Sequence, residues 1–159
     1  MPIRRSLFAA VLLALLAGCA STPPAPVSVA DTLARDPQLS TLNTLVTQAG
    51  LADMLRGTGP YTVFAPTNDA FKAVPAKTMD ELKDPARLKA VLSYHVLPVR
   101  MAPADIKTGN AKTANGAEIA VSRAGDFVTV EDAMAQGQEV MASNGVVYSI
   151  DRVLMPPRR

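Results

Sequence analysis

The chain has 159 residues, which is enough for one domain together with its terminal segments. It contains 16 Lys and Arg against 14 Asp and Glu, and two of the arginines lie in an N-terminal segment that we expect to be removed. The remaining chain is close to neutral and has no basic cluster, which argues against a nucleic-acid partner. One histidine and one cysteine are too few for a zinc site. Because the glycine-rich phosphate-binding motifs are also missing, we expect neither a metal nor a cofactor.

Residues 1–18 have the organisation of a secretory signal peptide. Arg4 and Arg5 precede an apolar run over residues 7–17, which is too short to cross a bilayer as a mature helix. The run ends in LAGC, residues 16–19, and this ending resembles the bacterial lipobox. We therefore expect cleavage after Gly18 and acylation of Cys19 by fatty acids such as palmitate, which would tether the protein to a membrane. Because Ala20 and not aspartate follows the cysteine, we expect sorting to the outer membrane.

The rest of the chain divides into a short linker, one domain and a tail. Residues 19–28 contain the lipidated cysteine and the proline-rich stretch ASTPPAPV, which is typical of an extended leash. Residues 29–156 are predicted to form the folded domain, and residues 157–159 are a basic tail. No internal repeat is present.

Helical patterns dominate the first half of the domain. Asp36-Pro37 is typical of a helix start, and apolar residues then recur at helical spacing until Gly50. Residues 51–55 continue this pattern briefly, and residues 61–65 (YTVFA) predict a short strand. Thr67 is positioned to cap a further helix, and Thr78 has capping-box spacing to Glu81.

The next helix is predicted to begin at Asp84-Pro85 and to end near Pro98. Its apolar face ends in His95, and we expect this ring to be at least partly buried and hydrogen-bonded within the domain, with Tyr94 packed beside it. The second half contains strands separated by turn signals at Asn115-Gly116, Gly125 and Asn144-Gly145. Asn144-Gly145 is expected to supply a positive φ before a long apolar strand over residues 146–154. This order predicts an α+β class with a largely antiparallel sheet.

His95 is the candidate for chemistry because it is the only histidine. A hydrolase needs a serine within hydrogen-bond reach of the imidazole. Ser93 lies two residues away on the same predicted helix and so points to a different side, and no G-x-S-x-G motif is present. We therefore expect no catalytic residue, and hydrolysis stays as a less favoured alternative.

Three stretches resemble motifs of the fasciclin domain: YTVFAPTNDAF (61–71), LKAVLSYHVLP (88–98) and SNGVVYSIDRVLMP (143–156). They occur in the family's order, and the resemblance covers about residues 29–156. It implies an α+β fold in which a β-wedge of antiparallel strands carries helices along one side. It also implies a non-enzymatic module for adhesion and interaction.

The resemblance also suggests residues for two roles. In animal members, a Tyr-His pair and a following Asp-Ile pair are associated with receptor binding, and here these are Tyr94-His95 and Asp105-Ile106. The other motif positions are interpreted as requirements of the fold, and they are Thr67, Asn68, Asp69, Asn144, Gly145 and Asp151.

The sequence thus predicts a lipid-anchored envelope protein that binds an unidentified protein or glycan partner. A periplasmic carrier of small ligands and a purely structural envelope protein are also compatible with the sequence. The sequence indicates neither an oligomeric state nor the surface that binds.

Overall fold

The structure is a computed structural model that describes residues 26–136 and 139–157. The predicted signal peptide, Cys19 and most of the leash lie outside the described residues. Among the described residues, no helix has both the length and the apolar character needed to cross a membrane.

The elements that the sequence predicts occur in the predicted order. The helices are α1 (Val29–Arg35), α2 (Ser40–Gln48), α3 (Ala52–Arg56), α4 (Asn68–Lys72), α5 (Ala76–Glu81) and α6 (Pro85–Tyr94), with 3-10 turns at Pro37–Leu39 and Pro103–Asp105. The strands are β1 (Tyr61–Pro66), β2 (Val96–Leu97), β3 (Gly109–Lys112), β4 (Glu118–Ala124), β5 (Phe127–Val130), β6 (Ala133–Met134), β7 (Val140–Ala142) and β8 (Gly145–Ile150). Of these elements, α1, β2, β6 and β7 were not predicted.

Local side-chain caps explain where α1, α4, α6 and the first 3-10 turn begin. The side chains of Asp36, Thr67 and Asp84 each accept a hydrogen bond from a backbone N–H of the turn that follows, and these three starts confirm the sequence prediction. Ser28 caps α1 in the same way, so the last residue of the predicted linker is bonded to the first helix.

Three local predictions were wrong. Thr78 caps no helix, because α5 begins directly after Pro75 and Thr78 lies inside it. Gly145 does not have a positive φ, although four other glycines do. The last strand ends at Ile150 and not at Leu154, because after Asp151 the chain turns away and Leu154 bonds to the side chain of His95.

The strands form two four-stranded sheets. The central sheet has the order β2-β1-β8-β7, and the second sheet has the order β3-β4-β5-β6. β1 and β8 pair in parallel, from Tyr61 with Gly145 to Pro66 with Ile150, whereas the other pairs of neighbouring strands are antiparallel. The α+β class and the mainly antiparallel pairing are confirmed. The parallel pair at the centre was not predicted.

The central sheet is buried on both faces. Val63, Ala65 and Val147 point into a core shared with the helices on one side. Phe64, Val146 and Tyr148 point the other way, into a core shared with the second sheet. The helices therefore pack on one face of the central sheet, and the second sheet packs on the other. The segment around His95 connects α6 to β2, an edge strand of the central sheet.

Candidate functional site

His95 lies at the point where α6 ends and β2 begins. Its side chain is 1% exposed, and both ring nitrogens have backbone partners. Nδ1 lies 2.8 Å from the carbonyl oxygen of Val91, and Nε2 lies 2.9 Å from the backbone nitrogen of Leu154. A carbonyl oxygen only accepts and a backbone N–H only donates. The ring is therefore neutral, with its proton on Nδ1.

This environment determines the acid–base behaviour of His95. Burial lowers its pKa from 6.5 to about 4, and the hydrogen bond to Val91 offsets this only in part. A general base must have a free nitrogen that faces its substrate. The backbone engages both ring nitrogens of His95, and neither bond is to a serine, so neither nitrogen is free to face a substrate. The predicted burial and internal hydrogen bonding of His95 are confirmed.

The same turn connects the helical layer to both sheets. The carbonyl oxygen of His95 accepts a hydrogen bond of 2.9 Å from the backbone nitrogen of Phe64 in β1. The buried ring of Tyr94 packs in the core beneath the second sheet. Its hydroxyl lies 3.4 Å both from the carbonyl oxygen of Glu118 and from Oε1 of Glu131. Burial raises the pKa of Tyr94, and the negative charge of Glu131 adds to this effect.

The four residues associated with partner binding differ in exposure. Tyr94, His95 and Ile106 are buried, whereas Asp105 is exposed. Ile106 packs in the same core as Tyr94. A partner that docks on the folded domain therefore reaches only Asp105 of this set, and partner binding through these residues stays a prediction.

The residues 67–69 join the end of β1 to the helices. Asn68 uses both ends of its amide: Oδ1 accepts from the backbone nitrogen of Thr41 at 3.0 Å, and Nδ2 donates to the carbonyl oxygen of Pro37 at 3.0 Å. Through these bonds Asn68 links the turn after β1 to α2 and to the 3-10 turn before it. Asp69 is exposed and pairs with Lys72 at 3.0 Å, so it contributes to the surface of α4.

Asn144 and Gly145 hold the other end of the central sheet together. Oδ1 of Asn144 accepts from the backbone nitrogen of Val29 at 2.8 Å, and Nδ2 donates to the carbonyl oxygens of Leu55 and Gly57 at 2.7 Å each. A Cβ on Gly145 would overlap the carbonyl oxygen of Tyr61. Close approach of β1 and β8, and not a positive φ, therefore requires glycine here.

Asp151 performs a similar task at the end of β8. Its Oδ1 accepts from the backbone nitrogen of Met134 at 2.8 Å, and its own backbone nitrogen donates to the carbonyl oxygen of Met134 at 3.2 Å. These two bonds attach β6 of the second sheet to the central sheet. The interpretation of Asp151 as a residue required by the fold agrees with this geometry.

Sequence reasoning missed two further polar residues. Thr62 is fully buried in β1, where its hydroxyl donates to the carbonyl oxygen of Val99 at 2.6 Å and accepts from the backbone nitrogen of Met101 at 2.8 Å. A threonine in a strand pattern carries no signal of such a role, since threonine is common in strands. Ser28 had a signal, because Ser28 and Asp31 have the spacing of a capping box.

A polar cavity of about 390 Å³ opens between the two sheets, beside Tyr148. Its lining includes the charged residues Arg123, Asp126 and Glu139. Arg123 donates hydrogen bonds to the carbonyl oxygens of Gly125 and Pro103. The hydroxyl of Tyr148 donates a hydrogen bond of 2.7 Å to the carbonyl oxygen of Met101. Burial raises the pKa of Tyr148 to about 12, and the charge of Glu139 acts in the same direction.

Charged residues of both signs therefore line this cavity. In the part of the chain that the structure describes, no group of three or more His, Cys, Asp or Glu side chains is placed to hold a metal ion.

Comparison with known proteins identifies the family. The sequence pattern of the Fasciclin domain matches residues 37–156. The chain is 41% identical over 138 residues to the immunogenic protein MPB70 of Mycobacterium bovis, covering 83% of this chain and 69% of that protein. It is 40% identical over 148 residues to the cell surface glycolipoprotein MPB83 of the same species, covering 89% of this chain and 64% of that protein.

A solved structure, the FAS1 domain pair of the insect cell adhesion molecule fasciclin I, has the same fold. It superimposes with a TM-score of 0.65 at 17% identity, and the match covers 82% of this chain and 51% of the fasciclin I chain. This likeness supports the topology alone, since the identity is low. The family is established by the sequence matches, which agree with the three motifs around residues 61–71, 88–98 and 143–156: the chain belongs to the fasciclin-domain family.

Proposed function

We propose that this protein is a lipid-anchored component of the bacterial envelope whose single fasciclin domain is a non-enzymatic adhesion and interaction module. The observation that carries the proposal is the use of the motif side chains inside the fold. His95, Asn68 and Asn144 have their polar atoms bonded to backbone groups of other elements. Side chains that are used in this way hold the domain together, and binding is left to the exposed surface.

Relatives support the proposed location. MPB83 is named a cell surface glycolipoprotein, and fasciclin I is named a cell adhesion molecule. In this chain, the basic start, the apolar run and the LAGC sequence before Ala20 support export and acylation at Cys19. We propose that the acylated chain is sorted to the outer membrane and that its partner there is a protein or a glycan.

The anchor is tested by replacing Cys19 with serine. The wild-type chain should fractionate with membranes after processing, whereas Cys19→Ser should remain unacylated and appear in the soluble extracytoplasmic fraction. Globomycin, which blocks processing of acylated prolipoproteins, should shift the mobility of the wild type only. If Cys19→Ser still fractionates with membranes and shows no change in processing, the proposed anchor is wrong.

The partner is tested by photo-crosslinking in intact cells, followed by mass spectrometry. A benzophenone amino acid at Phe127, which is 63% exposed, samples the surface of the second sheet, and one at Asp105 samples the single accessible residue of the receptor-associated set. We expect a specific crosslinked partner from at least one position. A benzophenone at Lys72, exposed on α4, is the matched control. If all three positions give the same nonspecific products, the protein is a structural envelope component and not an interaction module.

The cavity beside Tyr148 favours a second candidate function, a periplasmic carrier of small ligands. Its volume of about 390 Å³ is within the usual range for small-molecule sites. A library of small polar metabolites should then contain a compound that raises the melting temperature of the wild type but not of an Arg123→Ala variant. If no compound has this effect, the carrier hypothesis is refuted.

The hydrolase hypothesis has a direct test in His95. Under our proposal, an ester or peptide substrate is turned over no faster by the wild type than by a folded His95→Ala variant. An activity that the wild type has and the folded variant lacks would contradict the non-enzymatic function.

A further inference from the structure

An apolar groove lies where the linker joins the domain. It has a volume of about 300 Å³; its apolar lining residues are Pro26, Val27, Val140 and Met141, and its polar ones are Thr32, Arg35 and Asp36. Val140 and Met141 are 43% and 47% exposed, and as consecutive residues of β7 they place apolar side chains on both faces of this strand. We call the groove formed by these seven residues the leash-side groove.

The fold fixes the position of this groove. β7 is the edge strand of the central sheet, paired with β8 on one side only. Immediately after β7, the backbone nitrogen of Ser143 donates to the carbonyl oxygen of Val27 at 2.8 Å. This bond attaches the start of the described chain to the end of β7. The exposed apolar side chains and the point where the linker leaves the domain are therefore the same place on the surface.

The length of the linker limits how the domain can be oriented. Residues 20–25 separate Cys19 from Pro26, and a fully extended chain of this length reaches at most about 25 Å. A compact domain of this size is about 35 Å across. The linker is thus shorter than the domain is wide, and an acyl anchor on Cys19 holds Pro26, which lines the leash-side groove, within about 25 Å of the bilayer.

We infer that the leash-side groove is a membrane-contact surface, in which Val27, Val140 and Met141 enter the boundary between lipid headgroups and acyl chains. Apolar side chains are stabilised at this depth, and Arg35, exposed at the C-terminal end of α1, can reach the phosphate groups while its aliphatic stem stays with the apolar residues. The inference rests on the proposed acylation of Cys19. It goes beyond that proposal because it fixes the orientation of the domain and leaves the second sheet to partners.

The test uses the acylated full-length protein in vesicles of phosphatidylethanolamine and phosphatidylglycerol. Because lipidation blocks the thiol of Cys19, a Met141→Cys substitution supplies the single free thiol for an environment-sensitive fluorophore. We expect its emission to shift to shorter wavelength on the vesicles and to be quenched by nitroxide groups on the acyl chains. The matched control is Phe127→Cys, an exposed apolar position in the second sheet, where neither change is expected. Circular dichroism checks that both labelled proteins are folded.

The outcomes separate the inference from the proposed anchor. If the protein floats with vesicles but the label at Met141 behaves like the label at Phe127, the inference is overturned and the anchor stands. If the acylated protein does not float with vesicles, the anchor proposal fails and the inference fails with it. If the label at Met141 is already shifted in an unacylated Cys19→Ser chain without vesicles, the groove is occupied by the chain itself or by a second copy, and the inference is again overturned.

Discussion

The burial of His95 predicts a loss of stability in mild acid. Its pKa is about 4 in the folded protein, against an ordinary value of 6.5. As the pH falls through 6.5, the unfolded chain binds a proton on this ring, whereas the folded protein does not until the pH approaches 4. Proton binding to the unfolded state favours unfolding. The free energy of unfolding should therefore be highest above pH 6.5 and decrease steadily between pH 6.5 and pH 4.

The size of the effect follows from the gap between the two pKa values. A gap of about 2.5 corresponds to about 3 kcal/mol, of which about 2 kcal/mol is lost between pH 7.5 and pH 5. This is a large part of the roughly 5–15 kcal/mol that stabilises a typical domain. The window above pH 5 is informative, because ordinary Asp and Glu side chains titrate mainly below it.

The assay is urea unfolding followed by circular dichroism at several pH values between 7.5 and 5, at constant ionic strength. The wild type is compared with His95→Gln, which cannot titrate. The variant should be less stable at pH 7.5 by about 2 kcal/mol, since the backbone groups of Val91 and Leu154 lose their partner, and its stability should change little with pH. His95→Ala should likewise lower the melting temperature with no ligand present.

Two results would refute this reasoning. An equal pH dependence in the wild type and in His95→Gln would assign the effect to carboxylates. A histidine proton resonance that titrates near pH 6.5 in the folded protein would show that the ring is accessible to water.

The remaining predictions concern the central sheet, and melting temperature and urea unfolding measure them. Gly145→Ala should lower the free energy of unfolding by about 3 kcal/mol or more, because its Cβ would overlap a backbone oxygen of the neighbouring strand. The control is Gly109→Ala, whose Cβ meets nothing within 4 Å and whose stability should be near that of the wild type. Equal effects of the two substitutions would contradict the close approach of β1 and β8 as the reason for Gly145. Asn144→Ala should cost about 3 kcal/mol because it leaves three backbone groups of α1 and the α3 end unpaired. Asn110→Ala, on the exposed edge strand β3, should cost less than about 1 kcal/mol. Tyr148→Phe should lower the free energy of unfolding by about 1 kcal/mol. It should also remove the tyrosine that ionises near pH 12 in an ultraviolet titration. If the titration near pH 12 is the same in the variant, the pKa of Tyr148 is not raised.

Features that depend on a few neighbouring residues were predictable. The helix starts at Asp36, Thr67 and Asp84 follow from a polar side chain placed beside the first turn. The hairpin turn at Gly125 follows in the same way, since its φ of 62° is one that glycine adopts without strain. The start of α1 at Ser28 obeys the same rule, but the prolines just before it favoured the interpretation as linker.

The candidate site was predictable in part. The apolar face of α6 indicated that His95 is buried, because position on a helix determines which side chains face the core. Its second partner, the backbone nitrogen of Leu154, lies 59 residues away in sequence, and no local pattern identifies it. The polar cavity beside Tyr148 draws its lining from strands and loops over residues 103–148, and for the same reason it could not be predicted.

By itself, the sequence determined the order of the longer helices and strands, the α+β class and the family, since each depends on local side chains or on recognisable motifs. Only the tertiary structure decided that β1 and β8 pair in parallel, that glycine at position 145 is needed for their close approach, and that His95 is neutral and linked to Leu154. The physical reason is that these features depend on contacts between distant segments. Such contacts form only when both faces of the central sheet are packed.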